Sequence, residues 1–306
     1  MTRGGVAGPA VPVRHRSLPV ALLVACRPKQ WVKNLLVVAA PGAAGVLGSA
    51  DDALATAAAF VAFCLAASAT YLLNDVGDVE ADRRHATKRH RPIAAGQLPA
   101  PVALAAAGIL AVAGVGVGLA VRWPLALVVV AYVALTTSYS KVFKHLVVVD
   151  VVALASGFVL RAVAGAVAAD VPISDWFFIV TSFGSLLMAV GKRNAEVVSL
   201  GDDAGSHRKV LDGYTPGFLA HLRSVSSGVV LVAYCLWAFE RAELTDMTVP
   251  WYQMSIVPFT AAILRYAQLL DAGEGGAPEE LVLRDRMLLV AGGVWALLFG
   301  VGVLAA

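Results

Sequence analysis

The stretch 53-ALATAAAFVAFCLAASATYLLNDVGDVEADRRHATKRHRP-92 decides the fold. Residues 53–73 are apolar or small, and as a helix they are long enough to cross a hydrocarbon core of roughly 30 Å. The run then stops abruptly in a charged cluster. Four carboxylates (Asp75, Asp78, Glu80, Asp82) stand beside five cations (Arg83, Arg84, Lys88, Arg89, Arg91). A membrane segment that ends in charges of both signs points to chemistry at the membrane edge.

The rest of the chain repeats the apolar half of this pattern. Of 306 residues, 59% are hydrophobic and only 15% charged, with a mean hydropathy of +0.76. Ordinary soluble domains carry about a quarter charged residues. Apolar runs recur near 31–50, 53–73, 100–121, 123–140, 146–168, 174–191, 217–240, 250–270 and 286–305. Period-two alternation of a β-barrel is absent. The expectation is an all-α polytopic membrane protein of nine transmembrane helices in the lipid bilayer. Pro41-Gly42 interrupts the first span, which predicts an early end or a kink. Arg122-Trp123-Pro124 is so short a connection that its flanking spans should form a tight hairpin.

Residues 1–17 are rich in Gly, Pro and Arg and read as a flexible segment, and 18–306 as a single transmembrane domain. The apolar run 18–26 is short and lacks a clear small-residue cleavage site, so no cleaved signal peptide is expected. Cys26, Cys64 and Cys235 show neither metal-ligand nor disulfide spacing and read as membrane-core packing. No nucleic-acid partner is expected.

Loop charge sets the orientation. The N-terminal segment, 74–98, 141–145, 191–216, Arg223 and 265–286 hold 21 of the 24 Lys and Arg residues. The opposite side keeps only Arg122 and Arg241, and Arg161 lies within a span. This predicts a plasma-membrane protein with its N-terminus and long polar loops in the cytoplasm and its C-terminus outside.

On a continuous helix, Asp78 lies 60° and Asp82 20° behind Asp75, so all three carboxylates share one face. Stacked like charges require an offsetting cation. One or two carboxylates plus an Asn amide suit Mg²⁺ bound jointly with substrate phosphates. Asn74, Asp75, Asp78 and Asp82 are therefore the expected metal ligands, and the three aspartates the expected catalytic set. A solvated acidic helix end paired with Arg83 and Arg84 is the plainer alternative. Of the cations that follow, Lys88 and Arg91 are the better candidates for holding phosphate oxygens.

N-D-x-x-D-x-x-x-D at 74–82 and K-R-H-R-P-I-A-A-G at 88–96 resemble the UbiA superfamily of intramembrane prenyltransferases. Residues 139-YSKVFK-144 resemble its Y-x-K motif, which implies substrate-binding roles for Tyr139 and Lys141. For Tyr139, an interfacial aromatic position is the alternative. The resemblance implies a nine-helix bundle with a cytoplasm-facing site. Typical members carry a second D-x-x-x-D motif holding a second Mg²⁺. Here the corresponding loop begins with Lys192, Arg193 and Glu196, which suggests direct binding of an anionic group. Asp202 and Asp203 are adjacent and read as loop or cap residues.

The segments 27-RPKQWVKN-34 and 192-KRNAEV-197 are similar to one phosphoribosyl-transferring branch of the superfamily. That likeness implies phosphoribosyl diphosphate (PRPP) as donor and decaprenyl or another polyprenyl phosphate as acceptor. It further implies a product used for cell-wall arabinan in arabinogalactan and lipoarabinomannan, and a homotrimer. The chemistry is consistent. A phosphate monoester, with a second pKa near roughly 6, needs no strong general base but needs cations to meet a second polyanion. Lys192 and Arg193 are assigned to a donor phosphate. Lys29 is either a ligand or an interfacial anchor. Asn34 either faces the cavity or makes an interhelical hydrogen bond. Asp150 should pair with Lys141, Lys144 or another helix, and Arg161 should serve structure or oligomerisation. Trp176, Trp237 and Trp251 read as outer-side interfacial anchors. A conventional prenyltransferase acting on an aromatic acceptor would need the second acidic motif. A transporter would scatter charge through several spans.

Overall fold

The computed structural model describes residues 16–85, 87–200, 209–245 and 247–305. Asp202, Asp203 and most of the N-terminal segment lie outside the described residues. Among the described residues every regular element is helical. In chain order, a short helix α1 (Leu18–Ala25) leads into a 3-10 helix over Pro28–Val38 and a turn of α-helix, α2 (Ala39–Ala43). Then come α3 (Ala50–Gly77), a short α4 (Val79–Arg84), α5 (Ala100–Val121), α6 (Trp123–Lys141) and α7 (Val149–Ala168). The C-terminal half comprises α8 (Asp175–Leu200), α9 (Pro216–Leu244), α10 (Trp251–Asp271), short α11 (Pro278–Arg284) and α12 (Arg286–Ala305). Six of these, α3, α5, α6, α7, α9 and α12, are long and apolar enough to cross a membrane.

Local sequence explains where the helices start. The Ser49 hydroxyl accepts from the Asp52 N–H, and Asp51 and Asp52 lie in the first turn of α3, where carboxylates favour the helix dipole. Thr215 caps α9 in the same way through Phe218, and prolines occupy the first turns of α5, α6 and α9. Proline suits those positions because its missing N–H has no helical partner there.

The first expected span departs from expectation. No α-helix runs across 31–50; the 3-10 helix, α2 and a second 3-10 turn divide it. The 3-10 helix packs between α3 and α7. A Cβ placed on Gly165 of α7 would fall 1.7 Å from the Val37 carbonyl oxygen, so only glycine allows that approach. Trp31 Nε1 anchors the other side by donating to Ser68 Oγ on α3 at 3.1 Å.

Packing divides the bundle into two groups. Helix α3 lies against α5 and α6, and α6 against α7. Helix α8 lies against α9, α9 against α10, and α10 against α12. The α7–α8 contact joins the groups. Phe63, Leu125, Val129 and Tyr132 fill the first core. An aromatic cluster of Tyr234, Trp237, Tyr252 and Phe299 fills the far end of the second. Trp237 is thus a buried core residue, 7% exposed, and not the interfacial anchor expected.

Candidate active site

Helix α3 ends at Gly77, and Asp78 takes a non-helical backbone (φ −99°, ψ 11°) before α4 begins. The continuous helix assumed from the sequence is therefore broken within the acidic motif. Asp75 and Asp82 still converge. Arg91 Nη1 lies 3.1 Å from Asp75 Oδ1 and 2.7 Å from Asp82 Oδ2, bridging the two carboxylates. Arg27 also donates to Asp75. Both carboxylates are buried. Asp78 is turned elsewhere: Lys144 Nζ donates to its Oδ1 at 3.3 Å. Glu80 pairs at the surface with Arg83.

Beside this pair opens a cavity of about 450 Å³. Asn74 on α3, Tyr139 on α6, Arg161 on α7 and Lys192 on α8 line it, with Arg27 and Lys33 from the N-terminal segment. Among the described residues that line it, four are cations and none is acidic. The 3-10 helix explains one wall. Gln30 and Lys33 line the cavity at the three-residue repeat that stacks side chains on a 3-10 helix, and Arg27, the left-handed residue just before the helix, joins them. Lys29 and Asn34, one position off that repeat, do not line it. Lys29 is exposed. Asn34 is fully buried, and its amide donates to Cys64 Sγ at 3.3 Å. Its Oδ1 accepts from Arg161 Nε at 2.8 Å. The interhelical alternative for Asn34 is the one observed.

Arg193 also differs from expectation. It is fully buried, with Nε 2.6 Å from Asp150 Oδ2 and Nη2 2.8 Å from the Tyr139 hydroxyl. It also pairs with Glu196 one turn along α8. The Tyr214 hydroxyl donates to Asp150 and accepts from the Val148 N–H at 3.0 Å. Burial, then the neighbouring Asp150, pushes the Tyr214 hydroxyl well above its ordinary range, so it stays protonated as a donor. Arg193 therefore acts on the cavity by holding Tyr139, and the adjacent Lys192 is the α8 cation that lines it. Glu196 lies along a neighbouring acidic groove with Glu274, Glu280 and Asp285. Lys88 and Lys141 are exposed and do not line the cavity.

A polar, cation-lined cavity beside two aspartates of an N-D-x-x-D-x-x-x-D motif, inside a helical membrane bundle, agrees with the comparisons with known proteins. Residues 35–292 match the UbiA prenyltransferase family. The chain belongs to the UbiA prenyltransferase family. Among curated UbiA relatives, it is 46% identical over 290 residues to the decaprenyl-phosphate phosphoribosyltransferase of Mycolicibacterium smegmatis, covering 92% of this chain and 91% of that one. The protein of the same name from Corynebacterium glutamicum is 45% identical, covering 92% and 86%. Among solved structures, a UbiA homolog from Archaeoglobus fulgidus bound to GPP and Mg²⁺ superimposes with a TM-score of 0.68. It is 17% identical and covers 94% of this chain and all of that one.

Of the expected residues, the structure places Asn74, Tyr139 and Lys192 on the cavity wall and Asp75, Asp82 and Arg91 beside it. Arg27, Lys33, Tyr132 and Arg161 complete it. Arg27 belongs to the motif 27–34, but nothing in the sequence marks it above Lys29. Its left-handed backbone (φ 54°), which turns the chain from α1 into the 3-10 helix, is what aims it at Asp75.

Proposed function

We propose that this protein transfers the 5-phosphoribosyl group of PRPP to decaprenyl phosphate or a similar polyprenyl phosphate. An acceptor phosphate oxygen forms the new bond to the anomeric carbon, and the bond from that carbon to the diphosphate breaks. The observation that carries this reading is the cavity wall: among the described residues four cations and no carboxylate, with Lys192 where a second acidic motif would hold a metal. Such a wall suits two phosphorylated substrates better than a prenyl diphosphate paired with an aromatic acceptor that carries no phosphate. Relatives 43–46% identical carry the name decaprenyl-phosphate phosphoribosyltransferase.

The residues also fit a divalent cation. Among the described residues no three His, Cys, Asp or Glu side chains cluster closely enough to enclose a metal. Mg²⁺ needs no such cage, because one or two carboxylates and substrate phosphates suffice. Asp75 and Asp82 share a single cationic nitrogen of Arg91, which marks a place where positive charge sits between them. Asp75, Asp82 and Asn74 would hold the ion, which supplies charge neutralisation of the leaving diphosphate. Arg27 and Arg91, released from the carboxylates, bind diphosphate oxygens. Lys192 keeps its expected place at a donor phosphate, and Lys33 brings the acceptor phosphate to the same cavity. Its oxygen is already anionic, so no protein base is required.

The reading extends to nine membrane crossings, with α8, α10 and the divided N-terminal segment added to the six apolar helices. It also places the cavity mouth at the cytoplasmic face of the plasma membrane, where PRPP is soluble. A homotrimer and a role in supplying cell-wall arabinan belong to the same proposal. The test is donor choice by purified protein in detergent with Mg²⁺. Labelled PRPP with decaprenyl phosphate should yield an acid-labile labelled lipid that is lost with EDTA. Prenylation of 4-hydroxybenzoate by a prenyl diphosphate, with no labelled lipid, would overturn the proposal.

A further inference from the structure

Three arginines are buried among the described residues: Arg161, Arg193 and Arg223. Two of them hold carboxylates, Arg193 through Asp150 and Glu196, and Arg223 through Asp271. Arg161 does not. Its Nε donates to Asn34 Oδ1 at 2.8 Å, its Nη1 to the Gly157 carbonyl at 2.6 Å and its Nη2 to the Tyr132 hydroxyl at 2.9 Å. The rings of Tyr132 and Phe158 lie against the guanidinium, at 4.8 and 5.5 Å. Among the described residues these partners are all neutral. Arg161 is only 5% exposed, yet it lines the cavity.

A buried cation without a counter-ion is costly, because neutral hydrogen bonds do not replace the lost hydration of a full charge. A guanidinium held in place by three acceptors and turned toward a cavity is preorganised for an anion, and its fork suits a phosphate. The contact with Gly157 sets its depth. Gly157 is seven residues, about 10 Å, along α7 from Asp150 at the level of Arg193. Asp75 and Asp82 hold the rim, so Arg161 meets the end of a ligand remote from them.

We infer that Arg161 is the subsite for a phosphate monoester at the inner end of the cavity, occupied by the 5-phosphate of the donor. This rests on the phosphoribosyl-transfer reading for the identity of the ligand, though not for the existence of an anion site. The donor carries two phosphate groups at opposite ends of a ribose. Cations at the rim and the single, deeper Arg161 match that layout. The acceptor has a single phosphate and a long apolar chain, which would have to pass Arg161 if its head lay there.

The experiment compares the wild type with Arg161→Met and Arg161→Lys in detergent. Ribose 5-phosphate should raise the unfolding temperature of the wild type, leave Arg161→Met unchanged and shift Arg161→Lys less. Steady-state kinetics should show KM for PRPP raised ~10-fold or more in Arg161→Met, a difference within reach of one lost charge-assisted contact. KM for decaprenyl phosphate should stay within about twofold, the range of an uninvolved site. Equal protection of the wild type and Arg161→Met by ribose 5-phosphate would overturn the site. A raised KM for decaprenyl phosphate alone would overturn its assignment to the donor. Should the wild type show no phosphoribosyl transfer, loss of ribose 5-phosphate protection in Arg161→Met still upholds the anion site, while the reaction fails separately. If Arg161→Met does not fold, the Arg161→Lys comparison decides by the same readouts.

Discussion

Asp75 and Asp82 are seven residues apart, and Arg91 bridges them from a segment beyond α4. That bridge makes the pair sensitive to loss of one charge. Asp75→Asn should lower turnover by ~100-fold or more, the scale of removing one group that stabilises the leaving charge, while the protein still extracts as a folded species. Near-normal turnover would show that Asp75 holds no metal. Tyr214 tests the positioning network behind Tyr139. Tyr214→Phe removes the hydrogen bond to Asp150 and should destabilise the protein by about 1.5–3 kcal/mol, the range for bonds to a charged group. An unchanged unfolding temperature in detergent would show that Asp150 is adequately held by Arg193 alone. The acid motif was readable because its residue types are those that bind hard cations. Arg193 was misplaced because its cationic character says nothing about which way it points. Asp150, forty-three residues earlier, captures it.

At the scale of elements, two departures from a regular α-helix shape the site. The break at Asp78 turns one carboxylate toward Lys144 and leaves two at the rim. The left-handed turn at Arg27 and the 3-10 helix after it put Arg27, Gln30 and Lys33, rather than Lys29 and Asn34, on the cavity wall. The second arrangement depends on Gly165, where Val37 packs against α7. Gly165→Val should force the segment away and cost about 1–3 kcal/mol or more, as overpacking does. The check is a lower unfolding temperature together with weaker PRPP binding. A stable variant with normal binding would mean that the segment docks elsewhere. Pro41-Gly42 signalled that the first span was irregular, but the 3-10 period could not be read from it. Its cause is the contact with α3 and α7, both distant in sequence.

For the whole molecule, the proposed orientation joins the charge bias and the cavity in one picture, with the cavity opening beside the charged 74–91 segment on the Lys/Arg-rich side. The proposed orientation predicts that a membrane-impermeant thiol reagent labels Trp123→Cys in intact cells and Thr87→Cys only after lysis. The reverse pattern would invert the topology. On the far side from the rim, Arg122 at the α5–α6 turn donates to Asp170 just beyond α7 at 2.8 Å. The hydrogen bond from Arg122 holds the Asp170 carboxyl below its ordinary value. A depressed carboxyl contributes stability in full above its unfolded pKa near about 4, and that contribution is lost as pH falls through the lowered folded value. The unfolding temperature should therefore drop below about pH 4 by a component that Asp170→Asn removes. An identical acid response in that variant would show the pair to be without effect.

The sequence alone determined the membrane class, the positions of most long helices, the one-sided distribution of Lys and Arg and the acidic motif. Those follow from composition, run length and charge counting, which are local sums over the chain. Tertiary structure alone decided which cations face the cavity. Arg27, Lys33 and Arg161 reached the cavity, Arg193 was buried against Asp150, and Asn34 became the support of Arg161. In a chain with 24 Lys and Arg residues, residue type does not single out those that face a cavity. Direction is set by helix breaks, by the period of each helix and by partners from remote segments, and these exist only once the bundle has packed.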